Sequence, residues 1–201
     1  MSRFILFIII ISSSLMNSCQ EEIRGCQDIQ AINYNPEANT GSNYGCDYLE
    51  IGDVYQGGVI FYLDSTNVHG LMAAIGDLYG EYQWGCYNDS ITGADLTVLN
   101  SGIENTEDII NSCEDSLSAA YNARLIQWEG HTDWYLPSKD ELIEFYNVAS
   151  IFSNQYGMQD TYYWTSSEYN DQYSYYVHFR DGYSYINDKY ETFKVRPIRS
   201  F

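Results

Sequence analysis

The chain has 201 residues and a formal net charge of -19, from 28 acidic and 9 basic side chains. A surface that binds nucleic acid needs clustered Lys and Arg to neutralise phosphates, so this balance argues against polyanionic partners and against docking on anionic lipid. The acidity is also the ordinary composition of a well-solvated surface, and it identifies no ligand by itself.

The N-terminal segment predicts export. A short basic start at residues 1–3 precedes an apolar run at residues 4–11 and a polar stretch that ends at Cys19. The apolar run is too short for a membrane-spanning helix, which needs about 20 residues. Small Ser18 before the cysteine resembles the cleavage site of a bacterial lipoprotein. We therefore expect removal of residues 1–18 and a lipid anchor on Cys19, at the outer membrane or cell surface; ordinary secretion without lipid is the alternative.

The other cysteines are even in number, since four of the five remain when Cys19 is set aside. An even number in an exported chain predicts disulfides, and pairing by sequence neighbourhood favours Cys26–Cys46 and Cys86–Cys113, although two other connectivities stay open. Zinc is the rival interpretation, but no two cysteines have the two-residue spacing of a zinc site. We predict disulfides and neither a metal nor a cofactor.

Two short segments precede the main domain. Residues 19–24 are a polar tether, and residues 25–48 are dense in Asn and Gly with no helical or strand periodicity. The second segment resembles a cysteine-bounded motif that is common in surface proteins of the Bacteroidetes. That motif is usually rich in aspartate before its second cysteine, whereas residues 39–44 here contain no carboxylate, which argues against calcium.

Residues 51–201 are long enough for one domain with its own core. Apolar runs at residues 59–63 and 71–75 predict a β-hairpin, and residues 84–105 predict a long polar loop. Helix-forming sequence then extends over residues 107–128 and ends before a glycine.

The clearest helix start is a capping box. Ser138 can cap the helix, and Glu141, three residues later, can return a bond to the backbone of Ser138. Leu142, Phe145 and Ala149 recur at spacings of three and four residues, which places one apolar stripe against the core.

The C-terminal part predicts an antiparallel meander of strands at residues 162–169, 173–179, 183–187 and 193–200. Asp181-Gly182 is its strongest turn signal. Four tyrosines alternate on the two middle strands, so each pair projects to one side; they are Tyr173, Tyr175, Tyr183 and Tyr185.

Six sequence motifs in order resemble the Legionella collagen-like protein C-terminal domain family. They lie at residues 57–62 (GGVIFY), 69–71 (HGL), 84–86 (WGC), 133–138 (DWYLPS), 163–168 (YWTSSE) and 195–201 (VRPIRSF). The resemblance implies an α+β fold with short strands and long loops, related to formylglycine-generating enzyme and to C-type lectins. It also implies adhesion, including attachment to sulfated glycosaminoglycans. For that ligand the basic residues would have to cluster on one face: Arg180, Lys189, Lys194, Arg196 and Arg199.

Catalytic signatures are weak. The common nucleophile, zinc-protease and phosphate-loop motifs are absent. His131 and Asp133 could form an acid–base pair, but a loop histidine near an aspartate is usually solvated. A mechanism like that of formylglycine-generating enzyme would need Cys86 and Cys113 as free thiols, whereas a loop-closing disulfide would favour a binding module.

We therefore predict a non-enzymatic module that binds or adheres to an extracellular glycan or protein, with a membrane contact through the lipid only. The four alternating tyrosines are the candidate contacts, because tyrosine combines a stacking face with a hydroxyl group. The alternative is that they pack the sheet, as Trp134 and Trp164 are expected to anchor the core. A structural envelope component and an enzyme of the formylglycine-generating type are the other functions considered.

Overall fold

The computed structural model describes residues 21–41, 45–113, 115–151 and 156–201. The predicted signal at residues 1–18 and the predicted lipidation site at Cys19 lie outside these described residues. Within the described ranges, no helix is long and apolar enough to cross a membrane.

An irregular unit surrounds the first disulfide, Cys26–Cys46. Its backbone is held by isolated bridges rather than by regular strands, such as the bridge between Cys26 and Tyr34. The side-chain amide of Asn33 donates to the carbonyl of Gly45 and to the carboxylate of Asp47, at 2.7 and 2.9 Å. Side chains and one disulfide therefore hold together a segment with little apolar sequence.

A four-stranded antiparallel sheet joins the two ends of the main domain. Its strands are β1 (Val54–Tyr55), β2 (Gly58–Leu63), β3 (Gly70–Ala74) and β9 (Ile198–Ser200), in that order. The predicted hairpin is β2–β3. Gly70 permits its close approach to β2, because a side chain there would meet the Tyr62 carbonyl oxygen. Every residue of β3 is buried, which explains its continuous apolar sequence.

Three helices follow β3 in the described chain: α1 (Gly102–Ser112), α2 (Ala119–Leu125) and α3 (Lys139–Ile151). The prediction of continuous helical sequence over residues 107–128 was wrong, because the structure divides this region into α1 and α2. Cys113 ends α1 in extended geometry and forms a disulfide with Cys86, and Ser118 starts α2 by accepting a hydrogen bond from the Tyr121 backbone. Helix α1 also begins inside the predicted loop.

The capping box of α3 forms as predicted. The Ser138 backbone N–H donates to Glu141 at 2.7 Å, and the Glu141 backbone N–H donates to the Ser138 hydroxyl at 3.4 Å. The buried Glu141 carboxylate also accepts the Asn100 backbone N–H at 2.8 Å. Burial raises the pKa of Glu141 to about 7, although the backbone donors at Ser138 and Asn100 act in the opposite direction.

The described residues also form two smaller antiparallel sheets. One contains β4 (Tyr82–Gln83) and β8 (Thr192–Phe193), and the other contains β5 (Tyr162–Glu168), β6 (Tyr173–His178) and β7 (Ser184–Asp188) in sequence order. The predicted single strand at 193–200 was wrong, because β8 pairs with β4 while β9 pairs with β3. Between them lie the buried Arg196 and Pro197, which has no N–H to continue a ladder.

The core has two main clusters of buried side chains. One packs α1 and α2 against Trp84, Trp164 and Phe193. The other packs α3 against β2, β3 and the β5–β6 pair, with Phe145 and Tyr163 among its members. The fold is a mixed α and β arrangement with short antiparallel strands. Part of the β5–β6–β7 sheet is exposed to solvent, including Tyr162 and Tyr185.

Candidate functional site

An exposed aromatic surface lies on one face of the β5–β6–β7 sheet, and we call it the tyrosine face. Its members are Tyr162, Tyr176, His178, Tyr183 and Tyr185. Tyr162 pairs with His178, and Tyr176 pairs with Tyr185, so each of these pairs points to the same side of the sheet. Tyr183 lies just ahead of β7, where its carbonyl accepts the His178 backbone N–H at 3.1 Å, and it is an electrostatic neighbour of Tyr185.

The rings of the tyrosine face contact one another and rest on a buried base. Ring centroids are 5.4 Å apart for Tyr162 and Tyr176 and 5.7 Å apart for Tyr176 and Tyr185. Phe193 of β8 lies beneath, at 5.2 Å from Tyr162 and 4.8 Å from Tyr176. These separations are typical of favourable aromatic pairs, so the inner rings are held in place.

The outer rings remain accessible to a partner. Tyr183 is 68% exposed, Tyr185 is 44% exposed and Tyr162 is 42% exposed. Neighbouring exposed aromatic rings on a protein surface are typical of interaction sites, whereas scattered single rings are ordinary. The tyrosine face therefore combines a rigid base with exposed stacking area.

Two carboxylates border the tyrosine face. Asp181 accepts the Tyr183 backbone N–H at 3.0 Å and the Tyr185 hydroxyl at 3.2 Å, and the backbone bond lowers the pKa of Asp181. Partial desolvation and the bond to Asp181 raise the pKa of Tyr185. The His178 ring lies between Asp181 and Asp160, with nitrogen–oxygen distances of 3.5 and 3.8 Å. These groups add hydrogen-bond acceptors and negative charge to an aromatic surface.

The structure separates the four tyrosines that the sequence singled out. Tyr183 and Tyr185 belong to the tyrosine face. Tyr175 pairs with Ile186 and points to the opposite side of the sheet, as does Tyr173 two residues earlier. Both are half-buried, and Lys139 of α3 lies 5.3 Å from the Tyr175 ring centroid.

Three basic residues of the C-terminal segment are buried in ion pairs. Lys189 contacts Glu168 at 2.5 Å, and both side chains are almost wholly enclosed. Lys189 also donates to the Asp89 carbonyl at 2.8 Å and lies 4.6 Å from the centre of the Trp84 ring. The Lys189 ammonium group is therefore buried and paired inside the protein, where a ligand cannot reach it.

The other two buried bases are arginines. Arg196 contacts Asp77 at 2.7 Å and donates to the carbonyls of Ala74 and Tyr156 at 2.9 and 3.0 Å. Arg199 forms a bidentate ion pair with Asp133, in which Nε and Nη2 each donate to one carboxylate oxygen at 2.9 Å. The basic cluster that a sulfated polymer would require therefore does not form from these residues, because folding uses them internally.

Three of the groups considered for catalysis have partners inside the protein. Asp133 is the partner of Arg199, and Cys86 is joined to Cys113. Trp134 and Trp164 are fully buried. Among the described residues, no group of three or more His, Cys, Asp or Glu side chains is arranged to hold a metal ion.

A model of the Lcl C-terminal domain family matches residues 81–199, which is more than half of the chain. The chain belongs to the Lcl C-terminal domain family. This confirms the family that the six sequence motifs indicated. In this Lcl C-terminal domain, the structural unit extends ahead of the matched range, because β3 pairs with β9.

Comparison with solved structures shows a shared fold. The chain is similar to a fimbrial protein from Bacteroides ovatus, with 16% sequence identity and a TM-score of 0.52. The match covers 80% of this chain and 50% of the fimbrial protein, so the chain spans about half the length of that protein. No curated protein matches the chain significantly.

Sequence reasoning did not identify Tyr162 and Tyr176 as members of the candidate site. Tyr162 was placed at the start of a predicted strand, and Tyr176 breaks the alternation of Tyr173 and Tyr175. Their proximity to Tyr185 depends on cross-strand register, which a single sequence does not specify. The high tyrosine content of these strands was the sequence signal that could have indicated Tyr162 and Tyr176.

Proposed function

We propose that the chain is an exported cell-envelope protein whose Lcl C-terminal domain is a non-catalytic binding or adhesion module for an extracellular glycan or protein. The tyrosine face carries this proposal. Tyr183, Tyr185 and Tyr162 offer exposed rings at a small cost in rotamer freedom, and Tyr176 and Phe193 hold the inner layer in position.

The fold and the family support a role at the cell surface. The solved structure that shares the fold is described as a fimbrial protein, and two disulfides suit an oxidising compartment. The proposed anchor is a lipid on Cys19. The proposed relationship to C-type lectins and formylglycine-generating enzyme agrees with the short strands and long loops of the domain. The Cys86–Cys113 disulfide supports binding rather than thiol chemistry.

A binding screen tests this function. The purified protein is applied to an array of uncharged glycans, extracellular-matrix proteins and sulfated glycosaminoglycans, and captured protein is quantified at physiological salt. We expect saturable capture by an uncharged glycan or by a protein. Capture confined to sulfated glycosaminoglycans would contradict the use of the tyrosine face, because these polymers require clustered cations.

A further inference from the structure

The charge of the accessible surface indicates which partner suits the tyrosine face. The chain carries 28 acidic and 9 basic residues, and three of the bases are withdrawn into the buried pairs of Lys189, Arg196 and Arg199. The accessible bases are therefore fewer than the composition implies. Such a surface repels polyanions and attracts cations over the range of the screening length, about 8 Å at physiological salt.

The charged side chains nearest the tyrosine face also include more acidic than basic groups. Asp160 and Asp181 are acidic, His178 lies between them, and Arg180 contacts Asp160 at 3.6 Å. Asp181 is held toward Tyr185 by a hydrogen bond from the Tyr185 hydroxyl. A carboxylate is thereby placed beside an exposed ring, an arrangement that provides both an ion-pair acceptor and a negative aromatic face.

We propose, resting on the function proposed above, that the partner of the tyrosine face is a protein surface that presents Lys and Arg side chains. Ammonium and guanidinium groups bind to the faces of tyrosine rings within about 6 Å and pair with carboxylates at the same time. The tyrosine face is an open sheet surface, so it fits the surface of another protein. Complementary charge also accelerates the encounter of the two proteins.

A peptide-display selection tests the chemistry of this partner. The purified protein selects from a library of random displayed peptides, and the Tyr183→Ala/Tyr185→Ala variant is selected in parallel. We expect the peptides that are enriched by the wild type but not by the variant to contain a several-fold excess of Lys and Arg. Tyr79→Ala is the matched control, because Tyr79 is 99% exposed and lies outside the tyrosine face.

Charge variants separate a specific site from general attraction to an acidic protein. Asp160→Asn/Asp181→Asn and Glu37→Gln/Glu104→Gln remove the same formal charge, but only the first pair borders the tyrosine face. For a selected peptide, we expect the first variant to weaken binding by roughly threefold to tenfold and the second to leave it nearly unchanged. Raising NaCl to about 1 M should also weaken binding of the peptide to the wild type, because salt screens the attraction between opposite charges.

Different failures have different meanings. If the tyrosine variant loses binding to an uncharged glycan, or if the selected peptides show no excess of Lys and Arg, the protein partner is refuted while the tyrosine face stays a binding site. Equal effects of the two charge variants refute the placement of the cations. If the tyrosine variant and wild type select the same peptides with the same yield, the proposed function of the face itself fails.

Discussion

Arg196→Met tests whether the basic residues of the C-terminal segment serve the fold. The substitution removes a buried guanidinium that contacts the Asp77 carboxylate and three backbone carbonyls, those of Ala74, Tyr156 and Gly157. It leaves a nearly enclosed carboxylate without its cation. Breaking a buried ion pair by removing one partner costs about 3–5 kcal/mol, which lowers the melting temperature of a domain of this size by roughly 6–20 °C.

The matched control is Arg180→Met, which removes the same group from the surface. The Arg180 side chain is 72% exposed and lies 3.6 Å from Asp160. An exposed pair of this kind contributes about 0–1 kcal/mol. Urea unfolding followed by tryptophan fluorescence gives the free energy of unfolding for both variants, and an unchanged dependence on urea concentration verifies that the comparison is valid.

The double variant Asp77→Asn/Arg196→Met identifies the cause of the loss. It removes the unpaired charge and keeps an acceptor for the Tyr163 hydroxyl, which lies 3.0 Å from Asp77. We expect it to be more stable than Arg196→Met alone. An Arg196→Met loss within about 1 kcal/mol of the Arg180→Met loss would refute the reasoning and return Arg196 to the set of possible ligand contacts.

Three further predictions concern stability and anchoring. Replacing Cys86 and Cys113 by Ser opens a loop with a sequence separation of 27 residues and should cost about 3 kcal/mol in urea unfolding; an unchanged midpoint would contradict this. Because burial raises the pKa of Glu141 from 4.5 to about 7, the native state holds the proton more tightly, so the contribution of Glu141 to stability should fall by about 3 kcal/mol as the pH rises from 4.5 to 7. Glu141→Gln should flatten this part of the pH profile, and a profile equal to the wild type would contradict the assignment. Intact mass of the membrane fraction should show a mature chain that begins at lipidated Cys19, and membrane retention with wild-type processing in Cys19→Ala would exclude lipidation there.

Local features were the part of the fold that the sequence could predict. The β2–β3 hairpin, the Ser138–Glu141 capping box and the Asp181-Gly182 turn each depend on neighbouring residues. The turn also needs a glycine, because Gly182 has a φ of 75° and a side chain there would collide with the Tyr146 ring. These elements depend little on the rest of the molecule.

Features that depend on distant contacts could not be predicted in the same way. The strand at residues 193–200 is divided because Arg196 turns inward to Asp77, more than a hundred positions away in sequence. The composition of the tyrosine face depends on the register between β5, β6 and β7, which brings Tyr162 and Tyr176 beside Tyr185. Alternation alone gave the direction of each tyrosine relative to its own strand and not its neighbours across the sheet.

The most direct measurement is the affinity of the Tyr183→Ala/Tyr185→Ala variant for the ligand that the binding screen identifies. Both rings are exposed, so we expect a melting temperature close to that of the wild type and an affinity that is lower by roughly tenfold or more, while Tyr79→Ala stays at the wild-type affinity. Undiminished affinity in the double variant, or a loss of affinity that occurs only together with a loss of folding, would contradict a ligand-binding role for the tyrosine face.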